Sequence, residues 1–188
     1  MVETFDVSIT PYGLTRRTFV YLPDDWQTSG KKYPVLYMFD GHNLFFDSTA
    51  TYGTCWGLKE YCDAHPNWII AAPECNHEGN KRLEEYCPYR SDWFGGITGT
   101  GHEYMEWLTK EFKPMMDKRY PTLPGRANTA IGGSSMGGLM SLQQSVFQSS
   151  MPVALGAAVH AGAAAGDCQR HDPPRHPCLS ELGRKRER

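Results

Sequence analysis

Hydrophobic and polar positions along the chain follow two periods, and the switches between them mark out its elements. Alternation over Phe5 to Ile9 and a second β-prone run over Arg16 to Leu22, with Pro11-Tyr12-Gly13 between them, predict an antiparallel hairpin at a sheet edge. Pro34 to Phe39 is instead a continuous apolar run of strand length, as expected of a strand covered on both faces. Trp56 to His65 reads as a helix that stops before Pro66, and Trp68 to Ala72 as the next buried strand. From Tyr104 to Tyr120 a helical stripe of Tyr104, Leu108, Phe112 and Met115 opposes Glu106, Lys110, Lys113 and Asp117, with a kink expected at Pro114. Thr129 to Ile131 is a short β-prone run, and Met136 to Phe147 returns to helical spacing through Met136, Leu139, Met140 and Leu142.

Strands and helices therefore alternate as β-β-β-α-β-α-β-α, the order of an α/β protein with a mostly parallel sheet and helices on both faces. The 188 residues, 40% hydrophobic and 12% aromatic, suffice for one domain with a sizeable core. Nineteen basic and 21 acidic residues are mixed along the chain and leave a formal charge of −2, so no basic face is expected to recruit nucleic acid. Residues 1–20 carry no apolar leader core and no 18 apolar residues run together, so the expectation is a soluble, cytoplasmic protein with no membrane partner. Cys55, Cys62, Cys75, Cys87, Cys168 and Cys178 form no C-x-x-C pair and read as reduced thiols, with Cys55 and Cys62 sharing one helix face.

Candidate chemistry centres on Gly133-Ser134-Ser135-Met136-Gly137, a G-x-S-x-G pattern between a predicted strand and a predicted helix. In such a turn the serine takes a strained backbone position, and glycines without Cβ atoms let strand and helix close around it. Ser135 is the candidate nucleophile, and the N–H of Met136, at the positive end of the following helix, a candidate oxyanion donor. The alternative is a glycine-rich loop in which Ser135 only caps that helix. A second turn, Asp40-Gly41-His42-Asn43-Leu44-Phe45, follows the first central strand, where ligands of α/β sheets gather. There the backbone N–H of His42 is the candidate second oxyanion donor, and Asn43 and Phe45 are candidate pocket residues; a polar turn without a substrate role is the competing reading. The polar stretch Pro73 to Tyr89 is too long for a simple connection, and Arg82, Glu85 and Tyr86 are candidate substrate contacts, against solvated loop charge. His77 and Glu78 lie in it with no second histidine at ligand spacing, so no metal and no cofactor are expected.

These three stretches together resemble the Putative esterase family of the α/β-hydrolases, which includes esterase D, feruloyl esterases, enterochelin-type esterases and mycolyltransferases. The resemblance covers residues 1–142 and implies a nucleophile at Ser135, an oxyanion hole near His42 and Met136, and cleavage of a small carboxylic ester through an acyl-enzyme without a cofactor. An acyltransferase and a catalytically inactive binding module with the same cleft are the alternatives. The family pattern also needs an acid and then a histidine after the serine. Residues 148–188 hold no aromatic residue, no Ile, no Thr and no Asn, while Ala, Gly, Pro and Arg dominate. The expectation is that residues 143–188 are an atypical tail, non-native or disordered, in a chain cut short or shifted in frame. Asp167 with His171 or His176 has the right order but no separate strand ends to stand on. A chain without that acid and base is expected to turn over poorly and, with its elbow strand left as a bare sheet edge, to be poorly soluble.

Overall fold

The computed structural model describes residues 1–92 and 96–147; side chains are described through residue 143. The hairpin is present as β1 (Val2–Ile9) and β2 (Leu14–Tyr21), joined through a short 3₁₀ turn over Thr10–Tyr12 that ends on left-handed Gly13. β3 (Val35–Met38), α1 (Leu58–Ala64) and β4 (Ile69–Pro73) form the strand-helix-strand unit, and β5 (Thr129–Gly132) is the strand before the serine. The sheet order is β1-β2-β4-β3-β5; β4, β3 and β5 run parallel, while β1 and β2 are attached antiparallel at one side. The fold is thus that of an α/β-hydrolase, with a mixed sheet whose central strands are parallel.

Period-two alternation divides the core between the two faces of this sheet. Val20 and Leu22 of the β2 segment, Val35, Tyr37 and Phe39 around β3, and Ile69 and Ala71 of β4 pack into one cluster with the long helix. Phe19, Tyr21, Met38, Ile70 and Ala72 point the other way, onto Leu44, Phe45 and Cys62. A strand buried on both faces has no polar side to display, which is why the sequence of β3 is an unbroken apolar run.

The stripe over Tyr104 to Tyr120 is one helical rod in three parts: α2 (Lys81–Glu85) precedes it in the chain, then α3 (Gly101–Trp107), a π turn (Leu108–Phe112) and α4 (Lys113–Arg119). Here the structure corrects the expected stripe, since Met116 is buried and Met115 only partly so. The buried residues Tyr104, Leu108, Phe112 and Met116 recur every four positions, a spacing that drifts off the face of an α-helix. The wider π turn takes up the drift and stands where a kink at Pro114 was expected. A further correction concerns the cysteines: α1 begins at Leu58, so Cys55 lies outside it and shares no helix face with buried Cys62.

The serine-bearing turn leads into α5 (Met136–Phe147). Among the described residues no helix is long and apolar enough to cross a membrane. Asp167, His171, His176 and the expected atypical tail beyond 147 lie outside the described residues.

Candidate active site

Two turns leave the carboxyl ends of neighbouring parallel strands, and the ladder between those strands sets them level. β3 and β5 pair Leu36 with Ala130, Tyr37 with Ile131 and Met38 with Gly132, and the N–H of Phe39 donates to the Gly132 carbonyl at 3.1 Å. His42 lies three residues beyond Phe39, and Ser135 three beyond Gly132, so the two turns open side by side.

In the turn after β5, Ser135 has φ 52°, a left-handed conformation that a residue with a Cβ adopts at a conformational penalty of about 1–3 kcal/mol. Such strain is sustained only if the packing around it is fixed, and here it is. A Cβ on Gly133 would stand 2.8 Å from the Gly137 carbonyl carbon, and one on Gly137 would stand 2.8 Å from Cβ of Phe39. The two glycines therefore let the strand end and the helix start close against Phe39, and the serine is left exposed at the tip of the turn. α5 begins at once: Gly137 donates to the Ser134 carbonyl and Leu139 to the Ser135 carbonyl. Met136 is the first residue of that helix, so its N–H has no carbonyl of the helix to meet and belongs to the positive end of the dipole.

The turn after β3 is a 3₁₀ turn over Gly41–Asn43. Its hydrogen bonds run from the Asn43 N–H to the Asp40 carbonyl and from the Leu44 N–H to the Gly41 carbonyl, an arrangement that does not use the N–H of His42. Asp40 is the second left-handed non-glycine residue of the described chain, with φ 58°. Gly41 follows it because a Cβ there would lie 2.0 Å from the Ala72 carbonyl oxygen of β4, an impossible approach. Asp40 is 1% exposed and carries both ends of a bidentate pair, accepting from Nε and Nη2 of Arg82 at 2.7 and 2.6 Å. That hydrogen bond to Asp40, together with its charge, raises the guanidinium above its usual range against the opposing effect of burial.

The His42 ring is 4% exposed and turned away from water. Its Nε2 lies 3.0 Å from the Thr51 hydroxyl, and Nδ1 is buried with no hydrogen-bond partner among the described residues. Burial, then the nearby His77 ring, pushes its pKa down to about 4, so the imidazole is neutral at neutral pH. His77 stacks on it edge to face with ring centres 4.5 Å apart. Asn43 is half-buried and its Oδ1 accepts from the Thr51 N–H at 2.8 Å, which closes the loop over His42.

The structure separates the remaining candidates. Tyr86 is fully buried: its ring packs on Phe39 and Tyr104, and its hydroxyl accepts from the Asp40 N–H at 3.4 Å. Phe45 is buried against Tyr21 in the core on the other face. Neither presents surface to a substrate: the polar stretch folds back through α2 and carries Tyr86 into one core, and the turn after β3 carries Phe45 into the other. Glu85 likewise faces inward, where it is paired with buried Arg16 of β2 and accepts from the Asn76 N–H. Arg82 is partly exposed, but its guanidinium is committed to Asp40. The signal for this was in the sequence: an aspartate directly before glycine at a strand end is one of the few non-glycine residues that tolerates a left-handed turn.

Comparison with known proteins then gives three kinds of likeness. The model of the family described as Putative esterase matches residues 12–150. An uncharacterised protein of Bacillus subtilis, YbbA, is 26% identical over 131 residues, covering 68% of this chain and 49% of that protein. Esterase Rv1288 of Mycobacterium tuberculosis is 28% identical over 127 residues, 66% of this chain and 24% of the esterase. Among solved structures, a ferulic acid esterase of Anaeromyces mucronatus in complex with ferulic acid superposes with a TM-score of 0.57 at 22% identity, over 84% of this chain and 57% of that one. The chain thus spans half or less of the length of these curated relatives.

Proposed function

The chain belongs to the Putative esterase family, and from that premise we propose that it is a serine carboxylic ester hydrolase acting through an acyl-enzyme at Ser135. The observation that carries this reading is the left-handed, exposed serine held between a buried strand and a helix start, level with a second turn that has a spare N–H. Ser135 Oγ attacks the ester carbonyl, and the N–H groups of Met136 and His42 receive the negative charge that develops on the carbonyl oxygen. The serine proton passes to the departing alkoxide, which leaves as the alcohol, and water then cleaves the acyl–serine bond, giving the acid and restoring the Ser135 hydroxyl. The His42 side chain takes no part in proton transfer in this scheme, since its buried ring faces Thr51 and takes up a second proton only near pH 4. The family pattern places the base after the serine, and no described residue there supplies it. Asn43 and Arg82 border the cleft, and the substrate is a small ester.

Labelling with a fluorophosphonate followed by peptide mass spectrometry tests this. An adduct on Ser135 that disappears in Ser135→Ala, together with loss of p-nitrophenyl acetate hydrolysis in the same variant, is the expected result. Labelling elsewhere, or binding of esters without any adduct, would make the chain a binding module with an esterase-shaped cleft.

A further inference from the structure

Because β3 and β4 are parallel neighbours, the loops at their carboxyl ends meet, and three residues with metal-binding side chains come together there. One ring nitrogen of His42, Sγ of Cys75 and one ring nitrogen of His77 lie within 4.8 Å of one another. Cys75 and His77 stand two residues apart, but His42 comes from a different loop, so no ligand-spacing motif announces the set. Two features set this cluster apart from a chance gathering. His42 and Cys75 are 4% and 2% exposed, and His42 Nδ1 has no partner among the described residues although it is sealed from water. A buried ring nitrogen without a hydrogen bond is an unfavourable arrangement that a bound cation would relieve.

We propose that His42, Cys75 and His77 form a binding site for a thiophilic divalent cation, with zinc as the ion that fits this donor set. Two imidazoles and one thiolate at this spacing leave one position of a zinc tetrahedron for water or an exogenous ligand. The tautomer that donates Nε2–H to the Thr51 hydroxyl leaves the Nδ1 lone pair of His42 for the ion. The Glu74 carboxylate stands 3.7 Å from Nε2 of His77, placed to turn that ring as carboxylates turn ligating histidines in metal sites. The nearby Arg82 guanidinium does not oppose the ion, since its charge is met by the bidentate Asp40 carboxylate. Binding exchanges the thiol proton for the metal: Cys75–SH plus the cation gives the metal thiolate and one released proton. His77 is exposed at the mouth of the cluster and gives the ion a route in. This inference is independent of whether Ser135 is the nucleophile.

Titration of the reduced, metal-free chain with cobalt(II) tests it, because cobalt reports both sulfur ligation and geometry. The expected result is sulfur-to-cobalt charge-transfer absorption with the strong visible bands of four-coordinate cobalt, saturating at a single equivalent, releasing one proton and displaced by zinc. In His77→Ala, whose exposed side chain can be removed without disturbing the core, affinity should fall by about 100-fold or more, beyond the loss typical of outer-shell partners. Cys75→Ser should abolish the charge-transfer band, and circular dichroism checks that both variants are folded. Absence of the band in the unmodified chain at excess cobalt, its persistence in folded Cys75→Ser, or unchanged cobalt affinity in folded His77→Ala, would overturn the site.

Discussion

The turn after β3 and the turn after β5 are built on one plan and put to opposite uses. Each follows a parallel strand of the sheet, each holds a non-glycine residue in the left-handed region, and each depends on glycine where a Cβ would strike a neighbouring element. At Asp40 the strained residue is buried and its carboxylate is clamped by Arg82, so the strain is held by an ion pair that fixes the loop. At Ser135 the strained residue is exposed, with only glycines and Phe39 closing the turn beneath it. Backbone geometry alone therefore does not mark a reactive group. What distinguishes the two is whether the side chain is claimed by the protein: Asp40 is held by Arg82 and fixes its loop, while the exposed Ser135 hydroxyl is the one that the proposed function puts to use.

The largest effect that this comparison predicts is at Gly41. Gly41→Ala would drive a methyl group into the Ala72 carbonyl, a backbone atom that cannot swing aside, and should cost more than about 4 kcal/mol or prevent folding. Expression level and urea unfolding read this directly, and a variant within about 1 kcal/mol of the parent, roughly the ordinary effect of a substitution, would mean that the turn and β4 are not in contact as described. Next come paired glycine substitutions, whose signs should differ. Asp40→Gly removes the left-handed strain but strands Arg82, a partly exposed guanidinium, so it should destabilise by about 2–3 kcal/mol, less than the full loss for a wholly buried pair. Ser135→Gly removes the same strain with no pair to break, and should stabilise by about 1 kcal/mol while abolishing any turnover that runs through the hydroxyl. Equal signs for the two in chemical denaturation would erase the distinction drawn between the turns.

How far this was legible in the sequence depends on the range of the contacts that decide each feature. The hairpin, β3, β4, α1 and the strand-turn-helix at Ser135 follow from periodicity and turn residues within a few positions, and all are present. Burial of Tyr86 and Glu85 was not legible, because the partners that draw them inward, Phe39 and Arg16, are tens of residues away. The same distance hid the meeting of His42 with Cys75 and His77, which only the parallel pairing of β3 and β4 produces. Met116 was missed for a different reason: α-helical phase calls for a step of three after two steps of four, which picks Met115, and only the π turn carries the buried face on to Met116.

The smallest effect serves as the control for the comparison. Gly125 precedes β5, has an ordinary backbone conformation and would place a Cβ in open space. Gly125→Ala should be neutral or should stabilise by up to about 0.5–1 kcal/mol through the unfolded chain, and thermal melting suffices to see it. A large loss there would show that glycines in this chain are sensitive for reasons other than the two contacts named.

The π turn between Trp107 and Lys113 has a bearing on how the length of this chain can change over generations. A π turn holds one residue more than an α-helical stretch that would join the same two ends. The exposed residues of the turn are thus where a single codon can be lost while the buried face stays in line: removal of Lys110 would bring Met116 back to ordinary helical phase with Tyr104 and Leu108. Pro114 sets the condition, since a proline one turn into a regular helix would meet the carbonyl four residues before it. Loss of the codon and replacement of the proline would therefore be expected to travel together, so this helix can shorten only by a paired step.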